Sequence, residues 1–117
     1  DNPSKLSPIL EAIQSVAIQS LARDEYRNSK RKLIVVSDFI QNTTELDQYK
    51  EKTSFDKFSA TPYYRRVRSD LRDVAVDLLY VWRNTKGSVQ GRTHAEFWSE
   101  LLADEGAKPI DVKSIQG

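Results

Sequence analysis

The sequence predicts an α/β unit in which three parallel strands alternate with helices. Two runs dominated by β-branched and aliphatic residues, at 33–36 and 74–82, have strand length and little polar alternation. Such runs suit strands covered on both faces, as in a parallel sheet. A third segment, 110–115, is shorter and alternating, and is expected at a sheet edge. Each strand follows a segment with helical periodicity, so the order α-β-α-β-α-β implies right-handed helical crossovers. The expected architecture is three-layered, a mostly parallel sheet with helices on both faces.

The first helix is expected over residues 8–23. Ser7-Pro8 reads as an N-cap followed by proline at the first helical position. Ile9, Leu10, Ile13, Val16, Ala17 and Leu21 then recur at spacings of three and four. A basic connector, 27–32, separates this helix from the strand Leu33-Ile34-Val35-Val36, which is followed by Ser37-Asp38. Thr61-Pro62 repeats the cap-and-proline signal, and Tyr64, Val67 and Leu71 mark the buried stripe of the second helix. Arg65, Arg66, Arg68 and Arg72 fall largely outside it. Thr93 and Glu96 form a capping box for the third helix, with Phe97, Trp98, Leu101 and Leu102 as its stripe and Gly106 as its stop. Residues 1–5 are polar and expected to be loose. Residues 39–60 show no clear element beyond a short helix near 45–49. A connection of that length is uncommon in a compact domain unless functional or disordered. Its Phe39, Tyr49, Phe55 and Phe58 predict that it packs down onto the rest.

The 117 residues bound the chain to a single unit, with 38% hydrophobic and 30% charged residues. A net charge of +1 supplies no broad attraction to nucleic acid or anionic lipid. The absence of cysteine excludes disulfides, thiolate metal sites and cysteine nucleophiles, and the single histidine, His94, excludes a multi-histidine metal site. No run approaches the ~20 apolar residues of a membrane helix, so no membrane insertion is expected. With no methionine anywhere, the chain is expected to be a processed product or a fragment.

Ligands of parallel α/β sheets bind beyond the carboxyl ends of the strands. Asp38 stands just past the first strand. The long loop, Arg83 at the end of the second strand, and Ser7 at a helix N-terminus are expected on the same side. A hydroxyl and a carboxylate are hard oxygen donors, suited to magnesium, calcium or manganese. The plainer reading of Ser7 is a helix cap, and an equal reading of Asp38 is a cap for the loop that follows it. His94, in the first turn of its helix, reads as an exposed surface residue. Trp82 and Trp98 read as core aromatics.

The strand Leu33-Ile34-Val35-Val36-Ser37-Asp38, the preceding Ile9-Leu10-Glu11-Ala12-Ile13 and the later Phe97-Trp98 before Gly106-Ala107 together resemble the von Willebrand factor A family. The likeness spans nearly the whole chain but only the second half of that fold. It is nearest to bacterial members, on residues 33–41 followed by Asn42-Thr43 and on Thr61-Pro62-Tyr63-Tyr64-Arg65-Arg66. The resemblance implies a Rossmann-like domain with a metal-ion-dependent adhesion site, whose Thr and later Asp match Ser7 and Asp38. The family's Asp-x-Ser-x-Ser motif is not in this chain. The implied cation, Mg2+ or Mn2+, therefore belongs to a complete domain. The family likeness also leans towards an extracytoplasmic location.

Three functions follow as expectations. The first is a non-enzymatic module binding a protein partner through Asp38, Phe39, Gln41, Asn42 and Arg83. The second is a structural half-domain that completes its sheet with an N-terminal half, another chain or a second copy. The least favoured is a phosphotransfer-type enzyme using Asp38, since no second acid follows before Glu45.

Overall fold

The computed structural model describes residues 6–23, 25, 28–87 and 89–116. The predicted residues 1–5 and Arg27 of the basic connector lie outside these. The strands are β1 (Arg31–Ser37), β2 (Val74–Trp82) and β3 (Ile110–Gln116), paired in parallel in the order β1-β2-β3. The helices are α1 (Ile9–Val16), α2 (Phe55–Ser59), α3 (Pro62–Val67) and α4 (Arg92–Asp104). The predicted bounds of β2 are reproduced, and β3 lies at an edge as expected.

The parallel α/β class holds, and its layering is one-sided. Val74, Val76, Leu78 and Tyr80 on one face of β2 share a single core with Leu10 and Ile13 of α1, Phe58 of α2, Tyr64 of α3 and Trp98 of α4. Among the described residues no helix covers the opposite face. Two right-handed crossovers that step the same way across a sheet deliver their helices to the same side. The order β1-β2-β3 is such a progression. The expected second helical layer is therefore not formed by the described residues.

This corrects the expectation that β1 is covered on both faces. β1 is an edge strand, and its Lys32, Ile34 and Val36 are exposed while Leu33 and Val35 turn to the core. Continuous hydrophobicity does not reveal which face is covered. Lys32 Nζ reaches Asp77 Oδ2 at 3.0 Å across the open face.

Helix lengths differ from the periodic stripes. α1 ends at Val16 and continues as a π-helical turn, Ala17–Leu21, closed by the Ala22 N–H on the Ala17 carbonyl. Thr61 caps α3 as predicted, its Oγ1 accepting the Tyr64 N–H at 3.2 Å, with Pro62 following. α3 stops at Val67, so Leu71 is buried from the following turn, its N–H on the Glu105 carbonyl at 2.8 Å. The long connection has its helix at α2 rather than near 45–49. There Ser54 caps the helix, while Phe55 and Phe58 pack on Tyr64 and Phe97 with ring centroids 5.4–6.2 Å apart. Tyr49 remains exposed.

At the far end of α4, Gly106 stops the helix as read from the sequence. Gly106 and Ala107 donate N–H to the Ala103 and Leu102 carbonyls, each at 3.0 Å, the paired bonds of a Schellman cap. The turn also holds the buried Glu105, whose Oε2 accepts the Ser69 N–H at 2.9 Å. Burial raises its carboxyl to about 7, and its Oε1 and the Ser69 hydroxyl find no hydrogen-bond partner among the described residues. Tyr64 and Arg68 both donate to Asp104 Oδ2, at 2.8 and 3.1 Å, and hold its carboxyl below the usual range, Tyr64 contributing most.

Gly106 has φ 98°, and a Cβ there would stand 2.8 Å from Arg72 Cγ and 3.0 Å from Arg72 Cα. Gly106→Ala is expected to cost about 1–3 kcal/mol, read as a lowered urea midpoint. An unchanged midpoint would contradict this account of the cap.

Candidate functional site

The carboxyl ends of β1 and β2 meet the long connection and the start of α4. β1 ends in two tight side-chain turns. Ser37 Oγ accepts the Phe39 N–H at 2.9 Å, and Asp38 Oδ1 accepts the Ile40 N–H at 3.1 Å. Phe39 itself lies in the left-handed region at φ 58°, rare for a bulky residue. It is held there from both ends. Its ring, 0% exposed, stacks on Tyr80 and tilts against Trp98. Its carbonyl accepts from Trp98 Nε1 and His94 Nε2, each at 2.8 Å.

The predicted surface histidine is therefore a core residue, only 8% exposed. The signal was present: His94 precedes Phe97, Trp98, Leu101 and Leu102 by three, four, seven and eight residues, on the same buried stripe. α4 starts at Arg92 with Gly91 at the cap position, so Thr93 is not the cap and the expected capping box does not form.

His94 Nε2 faces two acceptors, the Phe39 carbonyl and Gln48 Oε1 at 3.1 Å, so it carries the hydrogen. Nδ1 then accepts from the Tyr80 hydroxyl at 2.6 Å. Both nitrogens of the neutral ring are used. Burial depresses the imidazole below its ordinary value and pushes Tyr80 up to about 12. Gln90 joins the two strand ends. Its Nε2 donates to the Asp38 carbonyl at 3.0 Å and the Val81 carbonyl at 2.8 Å, and its Oε1 accepts the Arg83 N–H at 2.9 Å.

Gln41 does what Ser7 was expected to do. Pro8, not Ser7, is at the α1 cap position, and α1 has no side-chain cap of its own. Ser7 instead spends its peptide groups on Asn42, N–H to carbonyl at 3.0 and 3.1 Å in an antiparallel bridge. Gln41 Oε1 accepts the Leu10 N–H at 3.0 Å, and its Nε2 donates to Glu11 Oε1 and the Tyr63 hydroxyl, both at 3.1 Å. Tyr63 in turn donates to Glu11 Oε2, and burial is the main reason its phenol is raised. Gln48 Oε1 accepts the Gln41 N–H at 2.8 Å. A cap from a residue about thirty positions away leaves no local pattern.

The structure brings the candidate residues into one region but sorts them. Phe39 and Gln41 are fully buried and offer no surface to a partner. Asn42 is half-buried and tied to Ser7. Asp38 keeps part of its carboxylate accessible, 3.6 Å from the exposed Arg83 guanidinium. Nearby, Lys86 stands over the Tyr49 ring at 4.8 Å. A hollow of about 100 Å³ opens between residues 48–53 and the start of α4, with Phe97 and His94 at its base and the exposed Lys52 and Arg92 beside them. Among the described residues no three His, Cys, Asp or Glu side chains cluster as a metal site, and no helix is long and apolar enough to cross a membrane.

Comparisons with protein-family models, with curated proteins and with solved structures find no match.

At pH 7 His94 is expected as the neutral Nε2–H tautomer, with its titration midpoint below about 6.5 in an NMR titration. Because the folded value is depressed, its contribution to stability is complete above the unfolded value. It is lost as pH falls through the folded one. A midpoint at or above the ordinary value would contradict the enclosed, doubly bonded ring.

Proposed function

We infer that the chain is a non-enzymatic protein-interaction unit, of the von Willebrand A-like type its sequence resembles, which completes its sheet with a strand from another polypeptide segment or chain. One observation carries this reading. β1 is a seven-residue parallel strand with no neighbour on its outer side among the described residues, and its Ile34 and Val36 are 57% and 58% exposed. Parallel sheets normally have both faces covered, and an apolar edge is a template for another strand. The same edge borders an open groove of about 310 Å³ between β1 and α1.

Two engaged groups support binding over catalysis. Asp38 is committed to the Ile40 N–H and lies beside Arg83. His94 has both nitrogens satisfied inside the core. Neither stands free as a nucleophile or general base.

A photo-crosslinking side chain at position 36 of the full-length protein is expected to give a discrete protein adduct, and one at position 113 on β3 none. No adduct at 36, or equal adducts at both, overturns the edge reading.

A second reading places a partner at the carboxyl edge, through Asp38, Asn42 and Arg83, with a shared Mg2+ or Mn2+. It is favoured by the accessible carboxylate of Asp38 at the ligand-binding end of the sheet. Two oxygen ligands are too few for a divalent cation, which takes six or more, so the remaining donors would come from outside these residues. Calorimetric titration of the full-length protein with Mn2+ is expected to give heat that Asp38→Asn abolishes. Absence of heat removes the cation from this reading.

A further inference from the structure

The two edges of the sheet are unlike. On β3 the exposed Val112 and Ile115 are interspersed with exposed Asp111, Lys113, Ser114 and Gln116, and inserted charges are a usual way of guarding an edge. β1 presents Ile34 and Val36 on the open face, preceded by Lys32, which bridges to Asp77, and followed just past the strand by Asp38, which lies beside Arg83. We propose that β1 is a self-complementary edge at which two copies of this chain pair antiparallel, centred on Val35, to form one continuous six-stranded sheet. The proposal rests on the reading that β1 accepts a strand, and it names the strand.

Symmetry restricts the geometry. The same edge can meet itself only across a two-fold axis, which makes the strands antiparallel and closes the assembly at two copies. With the axis normal to the sheet, the open faces stay on one side, so even-numbered residues oppose even-numbered ones. When Val35 opposes its own counterpart, Ile34 opposes Val36, Leu33 opposes Ser37, and Lys32 opposes Asp38. Every pair occurs twice. The two exposed apolar residues cover each other, and opposite charges meet at both ends. The neighbouring allowed registers fail this test. Centring on Ile34 sets Lys32 against Val36, and centring on Val36 sets Asp38 against Ile34. Cross-strand pairs of opposite charge stabilise and like charges oppose, so the charges select the register.

The core side has room for the incoming strand. The groove beside β1 is lined by Ile9, Ala12 and Val16 of α1 together with Leu33 and Val35. Val16 is 41% exposed although it belongs to the apolar stripe of α1. Leu33 and Val35 of a second copy would enter under this overhang. The chain's net charge of +1 opposes association only weakly.

Charge exchange tests the register. Lys32→Asp places like charges opposite each other in its own dimer, and so does Asp38→Lys. In a mixture of the two variants both pairs become complementary again. Sedimentation equilibrium on the full chain should show the wild type approaching twice 13.4 kDa with concentration. Each single variant should dimerise about tenfold more weakly, and their equimolar mixture should recover to within about threefold of wild type. Circular dichroism of each variant checks that it is folded, and Ile34→Lys is a further variant expected to be monomeric. A mixture no tighter than the single variants overturns the register. A concentration-independent wild-type monomer overturns self-pairing. If position 36 then still crosslinks to another protein, the open-edge reading stands without it. If it does not, both fall.

Discussion

The carbonyl of Phe39 is the point where the layers of this fold are tied together. β1 ends two residues earlier, and the chain reverses through a left-handed residue. That oxygen then accepts two hydrogen bonds from α4, through His94 and Trp98. The Phe39 ring fills the space between β2 and α4. Two residues later Gln41 caps α1. Four elements thus take their positions from one short turn. Backbone strain of this kind costs of order 1–3 kcal/mol and persists only where the surroundings over-determine it. Here they do, because two buried side chains of α4 hold that carbonyl and the ring is packed between Tyr80 and Trp98.

The second constraint is topological. A sheet built by successive crossovers in one direction has one covered and one uncovered face. The uncovered face is not uniformly apolar. Lys32, Asp77, Asp111 and Lys113 interleave with Ile34, Val36, Leu79, Val81 and Ile115, since Ile34 is level with Asp77 and Asp111, and Lys113 with Leu79. The helical face, in contrast, holds an unbroken core in which aromatic rings from α2, α3 and α4 touch across the layer. The buried apolar side chains of the described residues lie on that side, with Leu33 and Val35 of β1 packed against them.

Much of the fold was legible in the sequence because it follows local rules. The run at 74–82 is long, branched and bounded. Thr61-Pro62 and Gly106 are punctuation whose chemistry is complete within a few residues. The misreadings share a different cause. Ser7 looked like a cap because serine before Pro8 usually is one, but a glutamine from beyond β1 reached the helix first. The chemical type of His94 points to the surface, whereas its position on the stripe with Phe97 and Leu101 puts it in the core. The Leu33-Ile34-Val35-Val36 run could not say which face would be covered, since that depends on strand order. Of the candidate site, Asp38 and Arg83 were placed correctly at the carboxyl edge. The Gln90 bridge and the Gln41–Gln48–His94 network were not visible, because amide side chains carry no periodic or compositional signal.

The buried Glu105 sits at the opposite end of α4 from His94, and protons act on the two in opposite thermodynamic directions. Glu105 has its carboxyl raised to about 7, so its favourable contribution is complete below the unfolded value and lost as pH rises through the folded one. His94 is depressed, and its contribution is lost on acidification. Below the ordinary histidine value the two slopes overlap with opposite sign. One helix thereby carries a compensating pair of titrations, and proton uptake at one end offsets proton exclusion at the other. The acid-sensitive contribution of His94 is thus opposed by that of Glu105, a group it never meets.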